Sequence, residues 1–134
     1  MTPKILVVDD EPYMHVLLRH HLQRSGFATL KAINGREAIE TATREQPSAV
    51  VMDVMMEQMD GLAALKELKS SDRTKGIPVI MITANAHQIT RDAAEASGAA
   101  LFMTKPFSPT KLMQEIKRLV LPATGAPSTA SASS

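Results

Sequence analysis

The sequence alternates between two hydrophobic periods, and this alternation limits the possible fold more than any other feature. Five short runs rich in β-forming and apolar residues occur at positions 5–8, 27–31, 49–52, 79–82 and 101–103. Between them, apolar side chains recur three or four positions apart, as they do in amphipathic helices. Five strands alternating with five helices predict right-handed βαβ crossovers and a parallel sheet covered on both faces.

Apolar stripes mark the five predicted helices, and turn-forming residues separate them from the strands. The stripes begin at Met14, Ala38, Leu62, Ile89 and Leu112. Glycine, proline, serine and asparagine fall at the joints, where a helix or strand must end. The first, third and fourth strand runs are nearly all apolar, which is typical of strands buried on both faces.

The length of 134 residues suits one domain, and its last segment differs in composition from the rest. Residues 1–121 carry the alternating pattern. Residues 122–134 are small, interrupted by proline and without a bulky apolar side chain. Such a segment cannot bury enough surface to offset its ordering entropy, so we expect it to be disordered. It fits a natural terminus or a linker cut from a longer chain.

Composition and charge argue against several classes of protein. Aromatic residues make up only 3%, too few for the stacking platforms of proteins that bind single-stranded nucleic acid. The net charge is +1, and the lysines and arginines are scattered through the predicted helices rather than concentrated on one basic face that could bind DNA. Cysteine is absent, so disulfides and thiolate sites are excluded. No apolar run approaches the length of a membrane span, and acidic residues appear too early for a secretory signal. We therefore expect a cytoplasmic domain.

Polar groups of matching chemistry stand at the carboxyl ends of four predicted strands. They are Asp9, Asp10, Glu11, Asp53, Thr83 and Lys105. In parallel sheets these ends meet at one edge, where ligands bind. Two charges about 4 Å apart repel by roughly 4 kcal/mol at an effective dielectric of 20, so the carboxylates need more counter-charge than one lysine supplies. Hard oxygen ligands favour Mg²⁺, which suggests a magnesium site handling a phosphoryl group.

Other phosphate-binding chemistries lack their required residues. The segment after the first predicted strand has neither the glycines of a dinucleotide fold nor the pattern of a P-loop. Its three acidic residues would repel a flavin phosphate. A haloacid-dehalogenase type of phosphatase would place a second acid two residues after Asp53, where this chain has Met55.

Four motifs in this order resemble the receiver domain of two-component response regulators. They are Ile5-Leu6-Val7-Val8-Asp9-Asp10-Glu11, Asp53 followed by Met59-Asp60-Gly61, Thr83-Ala84, and Lys105-Pro106-Phe107. The resemblance covers about residues 3–121. It implies an α/β, flavodoxin-like (βα)5 fold, a doubly wound parallel sheet of five strands in the order 2-1-3-4-5, as in chemotaxis receivers.

The resemblance also implies a metal site. Asp53 corresponds to the phosphoacceptor. Asp10 and Asp53 would bind Mg²⁺ (or Mn²⁺) directly, together with the backbone carbonyl of Met55. Asp9 would act through water.

The remaining roles implied by the resemblance concern the phosphoryl group and the switch. Lys105 would pair with one phosphoryl oxygen, and Thr83 would donate a hydrogen bond to another. Phe102 stands where the family has its switch aromatic, often tyrosine, and the Lys105-Pro106 peptide would be cis. Without a tyrosine hydroxyl, Phe102 would switch by ring packing alone. Glu57 replaces the proline usual in the family.

Expected partners follow from the same resemblance. The phosphoryl donor would be a phosphohistidine of a histidine kinase or a histidine phosphotransfer protein. A downstream protein would bind the face formed by the fourth predicted helix, the fifth strand and the fifth helix. The chain would be a monomer or a phosphorylation-dependent dimer. It would catalyse its own phosphorylation and dephosphorylation without turning over a free substrate.

Three other possibilities remain open on the sequence. The chain fits a phosphorelay intermediate, the excised receiver of a larger regulator, or an interaction domain of the same fold that is never phosphorylated. The histidines of the first predicted helix lack metal-ligand spacing, so we expect His15, His20 and His21 to lie on the surface or face a partner.

Overall fold

The computed structural model describes residues 2–54, 61–84, 96 and 98–120. Its strands are β1 (Lys4–Val8), β2 (Ala28–Ala32), β3 (Ala49–Asp53), β4 (Val79–Thr83) and β5 (Leu101–Thr104). The helices are α1 (Pro12–Arg24), α2 (Gly35–Glu45), α3 (Gly61–Ser70) and α4 (Pro109–Val120). Helix α4 is the fifth helix predicted from the sequence.

All strand pairs are parallel, and the sheet order is β2-β1-β3-β4-β5. This confirms the predicted α/β class and strand order. Strand β1 lies inside the sheet, between β2 and β3, so β2 pairs on one side of β1 and the later strands continue on the other side. The carboxyl ends of β1 and β3 are therefore neighbours, which is where such folds place their binding crevice.

Side chains from successive residues of a strand enter two different hydrophobic clusters. Leu6 and Val8 pack with α2 and α3 on one face, whereas Ile5 and Val7 pack with α1 and α4 on the other. This follows from the two-residue period of a strand and explains the continuous apolar run of β1. Both clusters consist of buried, mainly aliphatic side chains, so the sheet is covered on both faces as predicted.

The second strand begins one residue later than the sequence predicted. The N–H of Phe27 donates to the carbonyl of Leu22 at 2.9 Å, and the N–H of Gly26 donates to that of Gln23 at 3.1 Å. Gly26 has a φ of 94°, which a side-chain-bearing residue rarely adopts. These bonds form a Schellman end to α1, so Phe27 completes the helix end and Ala28 is the first residue that pairs.

The start of α3 packs against the end of β3. The N–H of Gly61 donates to the carbonyl of Val54 at 2.8 Å. A Cβ on Gly61 would collide with the carbonyl oxygen of Asp53 and would lie 2.9 Å from the Cα of Val54. The motif glycine is thus required because the helix touches the backbone that carries Asp53.

Several predicted features lie outside the described residues. These are the fourth predicted helix with Ile89 and Ala93, the Met55 carbonyl, the Glu57 substitution, and the tail at 122–134. Among the helices that are described, none is both long and apolar enough to cross a membrane.

We expect Gly61→Ala to lower the free energy of unfolding by about 1–3 kcal/mol, because its methyl group must displace backbone rather than a flexible side chain. Gly76→Ala is the matched control, since a Cβ there meets nothing within 4 Å. Urea denaturation of both variants measures the difference. Equal stability of the two variants would contradict the tight approach at Gly61.

Candidate functional site

Three carboxylates converge where β1 and β3 end. Asp9, Asp10 and Asp53 each offer an oxygen, and these oxygens all lie within 4.8 Å of one another. Asp9 and Asp53 are buried, with 3% and 7% of their surfaces exposed, whereas Asp10 is exposed. The parallel pairing of β1 with β3 produces this convergence, because it places Val8 opposite Met52 and so brings the following residues together.

Lys105 places a positive charge beside these carboxylates. Its Nζ lies 3.2 Å from Asp53 Oδ2 and 3.5 Å from Asp9 Oδ2. It also lies 3.6 Å from Oε1 of the exposed Glu11. The lysine follows β5, and its backbone N–H donates to the carbonyl of Thr83 at 2.8 Å. One ammonium group therefore faces three acidic side chains from two segments of the chain.

The segment that carries Asp9 is fixed at three atoms. Its N–H donates to the carbonyl of Ala32 at 3.1 Å, which continues the sheet beyond β1. Its side-chain Oδ1 accepts the N–H of Glu11 at 2.9 Å, and its carbonyl oxygen lies 2.7 Å from Nε2 of His15. The buried carboxylate is thus held by both its side chain and its backbone.

Burial and charge shift the pKa values of two groups in the site. Burial raises the pKa of Asp9 above the usual aspartate value, and nearby Asp53 and Glu11 add to the rise, while the Glu11 N–H and Lys105 oppose it. Burial lowers the pKa of Lys105, but attraction to Asp53, Asp9 and Glu11 outweighs that effect and leaves the pKa raised. Asp9 is therefore protonated more readily than a usual aspartate, and Lys105 loses its proton less readily than a usual lysine.

Thr83 and Phe102 share one face of the sheet. Met81 pairs with Phe102, and both pack in the cluster beside α2 and α3. Thr83 follows Met81 by two residues, so its side chain lies on that same face. Thr83 is buried, with 3% of its surface exposed, and Phe102 is partly buried. The predicted cis Lys105-Pro106 peptide is present, immediately beyond this strand end.

The structure therefore brings together Asp9, Asp10, Asp53 and Lys105, with Thr83 at the neighbouring strand end. Glu11, which the sequence analysis groups with these charges, contacts Lys105 as well. The sequence analysis assigns no site role to one other residue, His15, which contacts Asp9. His15 was expected on the surface or at a partner, yet its ring contacts the Asp9 backbone; its place in the first turn after the acidic segment was the only available signal.

The donor set suits a hard divalent cation. Three carboxylate oxygens at mutual distances below 4.8 Å can approach one small ion, and oxygen is the ligand that Mg²⁺ prefers. The crowded negative charge exceeds what one ammonium neutralises, so a cation would relieve repulsion at this edge.

A sequence model of the response regulator receiver domain matches residues 5–117. The chain belongs to this family. It is a receiver domain of the two-component response regulators, with an acidic pocket formed by Asp9, Asp10 and Asp53. Receiver domains are phosphoacceptor signalling domains that interact with histidine kinases and downstream targets, and they do not turn over free substrates.

Curated relatives are longer than this receiver. Over 120 residues it is 37% identical to the alkaline phosphatase synthesis transcriptional regulatory protein PhoP of Bacillus subtilis, covering 90% of the chain and 49% of PhoP. It is 35% identical to the transcriptional regulatory protein SrrA of Staphylococcus aureus, covering 90% of the chain and 48% of SrrA. The chain thus spans about half the length of these relatives.

Solved receiver structures match nearly over their full length. The receiver domain of sensor histidine kinase PA1611 from Pseudomonas aeruginosa has a TM-score of 0.81 at 27% identity, with 90% of this chain and 98% of that one covered. That structure holds a magnesium ion in its active-site cleft. The chemotaxis response regulator CheY4 of Vibrio cholerae has a TM-score of 0.80 at 28% identity, covering 89% and 99%.

In metal-free buffer, we expect Asp9→Asn to become increasingly more stable than the wild type as pH rises. Because the pKa of Asp9 is raised on folding, its stabilising contribution is full below about pH 4 and is lost as pH rises through the raised value. The variant escapes this loss because its side-chain amide does not titrate. Urea denaturation from pH 3.5 upward measures the growing difference.

The matched control is Asp72→Asn, because the Asp72 side chain is 93% exposed and pairs with Lys75 on the surface. We expect its stability difference from the wild type to stay small across the same pH range. If the stability difference between Asp9→Asn and the wild type does not change with pH, the pKa of Asp9 is not raised on folding.

Proposed function

We propose that this receiver accepts a phosphoryl group from a phosphohistidine onto Asp53, with Mg²⁺, and thereby switches a partner-binding face. The proposal assigns the function to residues 1–121. It rests above all on the contact of Lys105 with Asp53 at 3.2 Å inside a cluster of carboxylates, two of them buried.

Asp53 is suited to be the nucleophile. A carboxylate oxygen attacks phosphorus and forms a P–O bond, while the P–N bond to the donor histidine breaks and the imidazole leaves with that electron pair. Asp53 closes a rigid central strand, so its carboxylate is held at the sheet edge where a donor can approach. Lys105 is already close enough to meet a phosphoryl oxygen on Asp53 and to stabilise the charge of the transferring group.

The acidic residues are suited to hold the metal. Asp10 and Asp53 would be direct ligands, Asp9 would act through water, and the Met55 carbonyl stays a predicted ligand outside the described residues. When bound, Mg²⁺ supplies positive charge to the phosphoryl oxygens. Burial raises the pKa of Asp9 even though Lys105 lies nearby, so a bound cation would help to stabilise the charged form of this carboxylate.

The shared face of Thr83 and Phe102 supports the proposed switch. A phosphoryl group on Asp53 would offer the Thr83 hydroxyl a charged acceptor, and movement of Thr83 would free space that the Phe102 ring can enter. Such a charge-assisted bond is worth roughly 1.5–3 kcal/mol, enough to shift two states of similar energy by about tenfold or more. The partner-binding face that changes would consist of β5, α4 (the fifth predicted helix) and the fourth predicted helix.

The partner is a histidine kinase or a histidine phosphotransfer protein, and the output is contact with a downstream protein. The leading alternative is an interaction domain of the same fold that is never phosphorylated. The closeness of Asp10, Asp53 and Lys105 argues for the phosphorylated form, because a domain without phosphoryl chemistry has no need to crowd these charges.

We expect the full chain to gain the mass of one phosphoryl group when incubated with acetyl phosphate and Mg²⁺, because the site itself supplies the nucleophile and the charge. Asp53→Asn should gain none, and omission of Mg²⁺ should abolish the gain. Intact mass spectrometry measures all three. Failure of the wild type with acetyl phosphate and with histidine kinases, or undiminished phosphorylation of Asp53→Asn, would refute the proposal.

We expect Thr83→Ala to accept the phosphoryl group but not to transmit the conformational change to the distal face. Beryllofluoride with Mg²⁺ mimics the modification, and amide NMR shifts near Phe102 and α4 report the distal change. These shifts should appear in the wild type and in Thr83→Ser, which keeps the hydroxyl, and should be lost in Thr83→Ala. Equal shifts in Thr83→Ala and the wild type would refute the coupling while leaving phosphorylation intact.

A further inference from the structure

His15 contacts the acidic segment through its backbone. Its Nε2 lies 2.7 Å from the carbonyl oxygen of Asp9. A carbonyl oxygen can only accept, so Nε2 carries the proton and donates it. The residue lies in the first helical turns of α1 and is half-buried, whereas His20, further along the same helix, is exposed.

We propose that His15 is a positioning residue for the metal-binding segment: it holds the peptide that joins Asp9 to Asp10 and thereby fixes where the Asp10 carboxylate points. This inference rests on the proposed function, because it concerns the Mg²⁺ that the phosphoryl transfer requires.

Asp10 depends on its backbone for its position. In residues 2–54, 61–84 and 98–120 its side chain has no hydrogen bond or ion pair, and it is exposed. The preceding peptide has its carbonyl oxygen, that of Asp9, bound by the His15 ring. The bond from the Glu11 N–H to Asp9 Oδ1 closes a turn around the same peptide, and the His15 bond adds a second hold at its carbonyl oxygen.

Loss of the His15 bond would therefore leave the Asp9–Asp10 peptide held by the Asp9 side chain without the second hold, which loosens the peptide and removes no carboxylate. An exposed ligand on a freer backbone loses more conformational entropy when it binds a cation, so the affinity falls. A purely structural role of His15 in anchoring α1 predicts a different result, namely reduced folding stability with unchanged Mg²⁺ affinity.

The test compares Mg²⁺ binding to the full chain in four variants by calorimetry. We expect His15→Phe, which keeps a ring but lacks the donor, to raise the Kd for Mg²⁺ about three- to tenfold. His15→Gln, whose amide N–H reaches a similar position, should stay within about twofold of the wild type. His20→Phe is the matched control on the same helix and should bind as the wild type does. Asp10→Ala should bind much more weakly than any of them.

A second measurement needs no metal. Amide hydrogen exchange of Asp10 and Glu11 in metal-free protein should be faster in His15→Phe than in the wild type, and should be restored in His15→Gln. If His15→Phe does not fold, His15→Asn replaces it, because its shorter amide cannot reach the Asp9 carbonyl while the side chain stays polar.

The outcomes separate this inference from the proposed function. Absence of Mg²⁺ binding in the wild type, or equal binding by Asp10→Ala, would overturn the metal site and with it the proposed function. Wild-type affinity in His15→Phe, or a loss that His15→Gln does not restore, would overturn only the role of His15. Weaker binding in His15→Phe with recovery in His15→Gln supports it.

Discussion

The repulsion among the carboxylates at the ends of β1 and β3 is the interaction on which this receiver depends. Two of these acids are buried, where charge is costly, and Lys105 faces both of them at close range. The arrangement is tolerated because the sheet fixes the backbone and one ammonium offsets part of the repulsion. It leaves a net attraction for cations and for groups that bring a cation with them, which a fully neutralised cluster would not have.

The supporting residues act mainly on the backbone rather than on the carboxylates themselves. Gly61 allows α3 to touch the chain beside Asp53, and His15 binds the carbonyl of Asp9. Phosphoryl transfer gains from held geometry more than from additional reactive groups. Under the proposed function, a small set of charged side chains suffices because the strands and the first helix define their positions.

The sequence allowed the fold to be predicted almost completely. Strand identity followed from apolar runs such as the one in β1, and the convergence of Asp9 with Asp53 followed from parallel pairing alone. The start of β2 was misplaced because Phe27 is as apolar as a strand residue but uses its N–H at the end of α1. The contact of His15 was missed because a side-chain bond to a backbone carbonyl leaves no periodic pattern. The roles of Asp53, Thr83 and Phe102 stay predictions from family resemblance.

Lys105 lies 52 residues beyond Asp53 and 96 beyond Asp9. During synthesis, the three acids leave the ribosome long before their counter-charge does. A nascent chain that has paired β1 with β3 therefore holds an unneutralised acidic cluster, whose repulsion works against early closure of that edge. Lys105 offsets part of this charge only after the last strand joins the sheet, so the acidic cluster gains its counter-charge late in the assembly of the domain.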